Sequence, residues 1–545
     1  VVLGLMVVGA GVVAYVVRHA EPILRKRVIA SLEERFDSPV DLDALHISVV
    51  QGLEVTGEGL KVVYLGDLDK TRTWDEPAML TVRRFTFRTG LRELFEPTMR
   101  VKLVRVEGMT LRIPPKQDRS PMLPKGQHKA GRWKIVVDEI AVSDMTLNIE
   151  TNKPGKAPLE FDIGDVTMHD VGPGRAMPFD ARLVNAKPVG EIHSTGEFGP
   201  WDEEEPRDTP VAGDYSFTNA DLGTIKGIGG TLSSTGRYGG TLGEIGVTGE
   251  TDTPDFSLDV SEHPVDLKTE FDATVDGTSG DTRLNAVHAT LRGTVLEVKG
   301  LVRRASDVEV AGAMPQKGPE DVSGHFIDIS VVSDKARVED ILTLAARTSP
   351  PLMQGAMTLK ARLEIPPGQV SISKKIRVQG TFAIRGARFS NAKWQQTVDN
   401  LSMRASGNLK EAQAGDVARV DSSMGGRFAL AGAMLQVSGL HYEMPGAQVD
   451  LAGKYGLDGQ TFDFAGTVKT KATASAMLTG WKSWVAKPFD PLLKRDGAGL
   501  EVPITISGTK ADPKLGLDLG KLAGEVFSRG KKKDGGAGDA QGPKP

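Results

Sequence analysis

From about residue 40 the chain alternates apolar and polar residues in short runs, as in LEVTGEGLKVVYL (53–65), with Gly, Asp or Asn interrupting every eight to fifteen residues or so. A period of two sends successive side chains to opposite faces of a strand, so this texture specifies antiparallel sheet rather than helix. Glycine points the same way. It supplies 63 of 545 residues, well above the usual ~7%, while aromatics reach only 6%, a balance that disfavours a helical bundle.

One spacing recurs within the strands. VRVEGMTLRI (104–113), IAVSDMTLNI (140–149) and LQVSGLHYEM (435–444) each read apolar, polar, apolar, a turn-type pair, then apolar at alternate positions. Weaker copies lie at 55–64 and 296–305. The turn pairs are Glu107-Gly108, Ser143-Asp144 and Ser438-Gly439, and the apolar phase shifts across each. Either a two-residue hairpin or a bulge repairs that shift and returns every apolar side chain to one face. The expected apolar face therefore carries Val104, Val106, Met109, Leu111 and Ile113; Ile140, Val142, Met145, Leu147 and Ile149; and Leu435, Val437, Leu440 and Tyr442. Arg105, Thr110, Arg112, Thr146 and Asn148 belong to the opposite face. Such a face is either the core of a sandwich or one side of an elongated, curved, U-shaped antiparallel sheet. If about 30 strands stacked at ~4.8 Å, that sheet would reach roughly 140 Å.

The segments between are expected to organise as follows. Residues 1–17 contain no charge and no Pro, and about 17 apolar residues is the lower limit for a membrane span, so they read as an N-terminal transmembrane anchor; a cleaved signal peptide is the competing reading. Residues 18–37 read as an amphipathic helix with Leu24, Val28, Leu32 and Phe36 on one stripe. Its Arg25, Lys26 and Arg27 are candidates for contact with lipid headgroups, or form the solvated face of a helix capping the next domain. By the positive-inside rule this basic flank favours a cytoplasmic position, so flanking charge does not settle topology. An N-terminal β region (38–200) and a Gly/Thr-rich middle β region (201–336), with thinner apolar cover, follow. A short helix at 337–351 places Val338, Ile341, Leu342 and Ala345 on one stripe before Pro350. A C-terminal β region (352–519) contains a second helical stretch in which Trp481 and Trp484 are candidate membrane-interface residues. Residues 520–545 form a helix end and a polar, disordered tail.

The remaining composition is restrictive. With no Cys, disulfides, thiolate catalysis and Cys-based zinc sites are excluded. The formal charge of −4 argues against a nucleic-acid partner. Nine His are scattered singly, with no HExxH, no GxSxG and no phosphate loop, so no catalytic residue, metal site or cofactor is expected and a non-enzymatic role is favoured.

The order of span, amphipathic helix and DSPVDLDALHISVVQGLEVTGEGLKV (37–62) resembles the opening of AsmA-like proteins of bacteria with two membranes, and 426–468 with LEVPITISGTKADPKLGLDL (500–519) is similar to their late segments. The resemblance covers roughly 40–115 and 360–520, the middle only by texture. It implies a single-pass inner-membrane protein, its bulk in the periplasm, related in architecture to TamB and to chorein-type bridge lipid-transfer proteins. The implied role is phospholipid supply to the outer membrane, with outer-membrane or other envelope proteins as possible partners. The rival expectation is an anchored, non-enzymatic β-rich envelope scaffold that acts through protein partners, its apolar core sealed.

Overall fold

The computed structural model describes parts of 21–33, then 39–48, 53–62, 78–89, 98–113, 134–149, 159–304, 325–406, 420–456, 461–472, 500–509 and 513–517, apart from a few single residues within these stretches. The anchor (1–17), Arg27, the Trp481 and Trp484 stretch and the tail lie outside the described residues, as do the side chains of Ile113 and Ile149. Among the described residues no helix is long and apolar enough to cross a membrane.

The protein is elongated and mainly β, as the period of two requires. The 25 strands among the described residues are β1 (Val40–Asp41), β2 (Ala44–Ser48), β3 (Leu53–Val62), β4 (Leu80–Thr89), β5 (Thr98–Ile113), β6 (Lys134–Ile149), β7 (Leu159–Val171), β8 (Met177–Ala186), β9 (Val189–Phe198), β10 (Pro210–Asp221), β11 (Ile228–Gly229), β12 (Thr231–Thr241), β13 (Glu244–Leu258), β14 (Val265–Val275), β15 (Thr282–Leu291), β16 (Thr294–Arg304), β17 (His325–Arg337), β18 (Met353–Ile365), β19 (Arg377–Phe389), β20 (Ser423–Ala431), β21 (Met434–Met444), β22 (Ala447–Gly456), β23 (Thr461–Thr470), β24 (Leu500–Thr509) and β25 (Pro513–Leu517). They form one sheet in which chain neighbours are almost always sheet neighbours. β1 and β2 lie end to end along β3, and β11 and β12 along β13, so the 25 strands occupy 23 places. At ~4.8 Å per place the contour is roughly 110 Å, shorter than the 30-strand expectation. Among the described residues every pairing is antiparallel except β5 with β6, which makes the sheet mixed.

That parallel step sets two copies of the recurring segment side by side, Val104 against Ile140, Met109 against Met145 and Leu111 against Leu147. No copy forms a hairpin. Each runs as one strand, and the phase shift is absorbed by a residue in the left-handed region: Gly59 (φ 65°), Gly108 (64°), Asp144 (59°) and Gly439 (57°). In β3 to β6 the shifts are aligned from strand to strand, so the ladders keep their register and a crease crosses the sheet. In β21 the pair Ser438-Gly439 faces the single residue Ala452, a bulge of the kind in which Gly tolerates positive φ. The weaker copy at 296–305 pairs with β17 without interruption through Gly300, and the irregularity beside it lies in β15, where Asn285 and Ala286 face the single residue Lys299.

Helices cover parts of the apolar face, one at the N-terminal end and two over the strands from β17 onward. Val28, Ile29 and Leu32 of the N-terminal amphipathic segment pack on a core containing Leu45, Val55, Phe85, Val106 and Val142. The expected helix after β17 is present as Val338–Ala345; Val338 is buried in a second core with Met357, Ile384, Tyr442 and Val449, and Ile341 and Leu342 pack on it. A 14-residue helix, Ala392–Ala405, that hydropathy did not announce adds Val398, Leu401 and Ala405 to the same core. Its start is set by Asn391, whose side-chain oxygen accepts the Trp394 N–H (3.3 Å), a local capping signal.

Candidate apolar groove

Cross-strand register defines which side chains share a face. Starting at Leu45 and stepping to each direct partner, an unbroken row passes Gly57, Phe85, Val106, Val142, Val166 and Ala181. It crosses the middle by way of Ser194, Tyr215, Gly236, Gly249, Phe271, Val287, Val298 and Val331. It then continues through Ala361, Gly380, Phe428, Val437, Gly453, Phe464 and Ile506 to Leu515. The row has one residue at every place of the sheet and no charge. Since a one-residue slip would send each strand's apolar set to the other face, the bulges along the way are what keep the row intact.

Five of its glycines sit beside an aromatic ring in the row. An added Cβ would fall 2.1 Å from the Phe85 ring at Gly57, 2.7 Å from Tyr215 at Gly236, 3.1 Å from Phe271 at Gly249, 3.0 Å from Phe428 at Gly380 and 2.7 Å from Phe464 at Gly453. The rings therefore lie flat over neighbouring backbone and pave the face with apolar area, the pairing used to compensate a glycine in a strand.

The opposite face is charged. Arg88 with Glu54 (2.5 Å), Arg84 with Glu58 (3.2 Å), Arg100 with Asp138 (2.7 Å), Arg237 with Asp214 (3.0 Å) and Arg362 with Asp328 (2.7 Å) are paired across strands there. These exposed pairs contribute ~0–1 kcal/mol each and chiefly fix which side meets water. Asp450 is the most perturbed: burial acts to raise its pKa, but hydrogen bonds from His441, Lys469 and Gln448 outweigh it and hold the carboxyl at about 2.

Burial along the apolar face is uneven. Val106 (9% exposed) and Val142 (7%) belong to the packed N-terminal core, with Val104, Met109, Ile140 and Met145 partly buried against it. Leu111 and Leu147 are half-buried. At the other end Val437 and Tyr442 are buried, and Leu435 and Leu440 half-buried. In the middle Phe271, Leu284, Val287, Val298, Ile329 and Val331 are half-buried, while Ala273, Ala289 and Leu291 of the same strands are buried. The face is thus packed within the two cores and half-buried along much of β14 to β17, and again at Phe428, Phe464 and Ile506. The candidate groove residues named from the sequence lie in the end segments, and the half-buried stretch of β14 to β17 falls in and beside the Gly/Thr-rich middle, whose apolar cover was expected to be thinner. Arg25 and Lys26 are exposed, and Arg25 donates to the Leu42 carbonyl, which ties this helix to the sheet.

A short polar patch lies within the middle. The Tyr238 hydroxyl bonds Ser194 (2.7 Å), Tyr215 bonds Ser234 (3.1 Å), and Thr251 bonds Thr269 (2.7 Å). Burial pushes both phenols up in pKa, against the effect of their serine partners, so they are neutral hydroxyls. The polar atoms are paired to one another rather than left to claim a ligand's.

Between β13 and β18 the sheet bends toward the helix on its apolar side. Helix Val338–Ala345, on that side, packs on β17 and β18 and also touches β13, four strands away from β17 in the ladder. Among the described residues no group of three His, Asp or Glu is arranged to hold a metal. Comparison with protein-family models, with curated proteins and with solved structures gives no match.

Proposed function

We propose that this protein shelters the acyl chains of phospholipids along its apolar groove and supports their movement between the inner and outer membranes, as its resemblance to AsmA-like proteins implies. The observation that carries the reading is the charge-free row through all places of the sheet, with a half-buried stretch in its middle. Two acyl chains hold about 30 CH₂ groups at ~0.8 kcal/mol each, so a lipid in bare solvent faces on the order of 20 kcal/mol. Contacts with Val, Ile, Leu and Phe are non-directional and lower that cost without fixing the chain in one position, which permits sliding. The headgroup stays in water outside the groove.

The two packed cores favour a second reading, a non-enzymatic envelope scaffold whose apolar face is core throughout. Transfer of a fluorescent phospholipid between donor and acceptor vesicles of phosphatidylethanolamine and phosphatidylglycerol tests the two. Transfer that depends on the protein supports the groove. No transfer, together with photo-crosslinks from Leu111 and Leu147 to protein alone, supports the scaffold.

A further inference from the structure

Alternating connections define two rims. The β8–β9, β13–β14, β15–β16 and β17–β18 connections lie on one rim, and the β12–β13, β14–β15 and β18–β19 connections on the other. The β18–β19 connection does not stay on its own rim. Ser371 and Ser373 donate to one carboxylate oxygen of Asp259 (2.5 and 2.9 Å), in the β13–β14 turn of the opposite rim. The Ile372 N–H donates to the Lys226 carbonyl (3.1 Å), beside Gly227, where an added Cβ would meet Ser371 Oγ and Ile372 N at 2.8 Å. Arg347, just before β18, binds the same turn through Glu262 (2.7 Å) and the Val260 carbonyl (3.2 Å).

Segments on both sides of β18 therefore meet one turn, although β18 has 13 residues and spans ~40 Å when extended. The curved ladder therefore brings the β13–β14 turn, at one end of β13, up to the connection that leaves the far end of β18, and the helical turn Ile372–Lys375 just before β19 makes the contact. The ladder from β13 to β18 together with this contact makes a ring around strands β14 to β17, the half-buried middle of the row.

We infer that Ser371–Lys375, in the β18–β19 connection, are a gate: a strap at the groove mouth, latched by Asp259, that a lipid headgroup must displace to pass. The inference rests on the reading of the groove as a lipid path. Acyl chains lie beneath the strap, but a charged headgroup projecting from the mouth meets it, and drawing that headgroup into the apolar ring carries the desolvation cost of a charge. Opening requires the loss of two serine hydrogen bonds to a carboxylate and one backbone hydrogen bond, all at solvent-accessible positions, a modest barrier compared with taking the headgroup beneath.

The chain has no Cys, so a single engineered pair tests the gate cleanly. In the full chain carrying Asp259→Cys and Ser371→Cys, oxidation locks the strap and reduction frees it. Two readouts are taken with the same phosphatidylethanolamine–phosphatidylglycerol vesicles: transfer of fluorescent phosphatidylethanolamine, and lipid capture by a photo-crosslinker replacing Phe271. The expected result is that oxidation abolishes transfer reversibly while capture persists. Equal transfer in the locked and free states, with capture intact, overturns the gate and leaves the groove standing; absence of capture and transfer in the unmodified protein overturns the groove itself. Ser371→Ala with Ser373→Ala gives an independent check should the cysteine pair fail to fold or close. That variant is expected to transfer several-fold faster than the unmodified chain, and an unchanged rate counts against the gate.

Discussion

A carboxylate placed in the middle of the row distinguishes a groove from a core. Val298 is half-buried, with Val287 and Val331 as direct partners, whereas Val106 is 9% exposed inside the packed N-terminal cluster. Full burial of a Val side chain is worth ~1.5–3 kcal/mol, so losing a half-buried one costs the fold about 1 kcal/mol. Aspartate is too short to reach the rim, yet at Val298 it keeps contact with solvent. In the core at Val106 the same change leaves a buried, unpaired charge and costs about 3–5 kcal/mol. Lipid binding is expected to rank the other way. A hydrated carboxylate on the groove floor displaces the acyl chain over about four methylenes, and at ~0.8 kcal/mol each that is about 3 kcal/mol, or roughly a hundredfold in affinity. Urea unfolding and a phospholipid-binding titration on Val298→Asp and Val106→Asp check both halves. If Val298→Asp unfolds the protein as severely as Val106→Asp, the middle of the face is core; if it leaves binding unchanged, acyl chains do not lie there.

Other consequences are independent of that pair. Gly249→Ala sets a Cβ 2.6 Å from the Thr235 carbonyl and 2.8 Å from the Tyr215 hydroxyl, so urea unfolding should register a loss of about 1–3 kcal/mol. Ser194→Ala removes the partner of the Tyr238 hydroxyl and should cost about 1 kcal/mol, while Ser194→Thr, which restores a hydroxyl, should recover part of it. Because Asp450 has a depressed folded pKa, its contribution to stability is present above its ordinary 3.8 and is lost as pH falls toward about 2. Asp450→Asn should therefore flatten the acid limb of stability against pH in that window, and an unchanged limb would show that the carboxyl is not held down by His441, Lys469 and Gln448.

Much of the sheet was legible because its chemistry is local. Alternation identified the strands, and the spacing shared by 104–113, 140–149 and 435–444 correctly located the places where the apolar phase changes. The pattern alone left hairpin and bulge equivalent, since both restore one face; left-handed Gly108, Asp144 and Gly439 within continuous strands resolve them. The helix at Val338–Ala345 was visible in its apolar stripe, whereas Ala392–Ala405 has only a narrow stripe around Val398 and Leu401 and is marked mainly by the Asn391 cap. The parallel pairing of β5 with β6 was not legible, because apolar spacing does not encode strand direction. Nor was the contact between Ser371 and Asp259, which are 112 residues apart and meet only through the bend of the sheet between β13 and β18. The thinner apolar cover of the Gly-rich middle was legible from composition, but the rings laid over its glycines were not, because they depend on cross-strand register.

Scanning a photo-crosslinker along β15 tests the central claim most directly, because Leu284 and Val287 face the groove and Asn285 and His288 are exposed on other positions of the same strand. In the presence of phospholipid vesicles, capture of phospholipid at 284 and 287 but not at 285 and 288 is the result the groove predicts. Crosslinks to protein alone at 284 and 287, or equal lipid capture at all four positions, would contradict it.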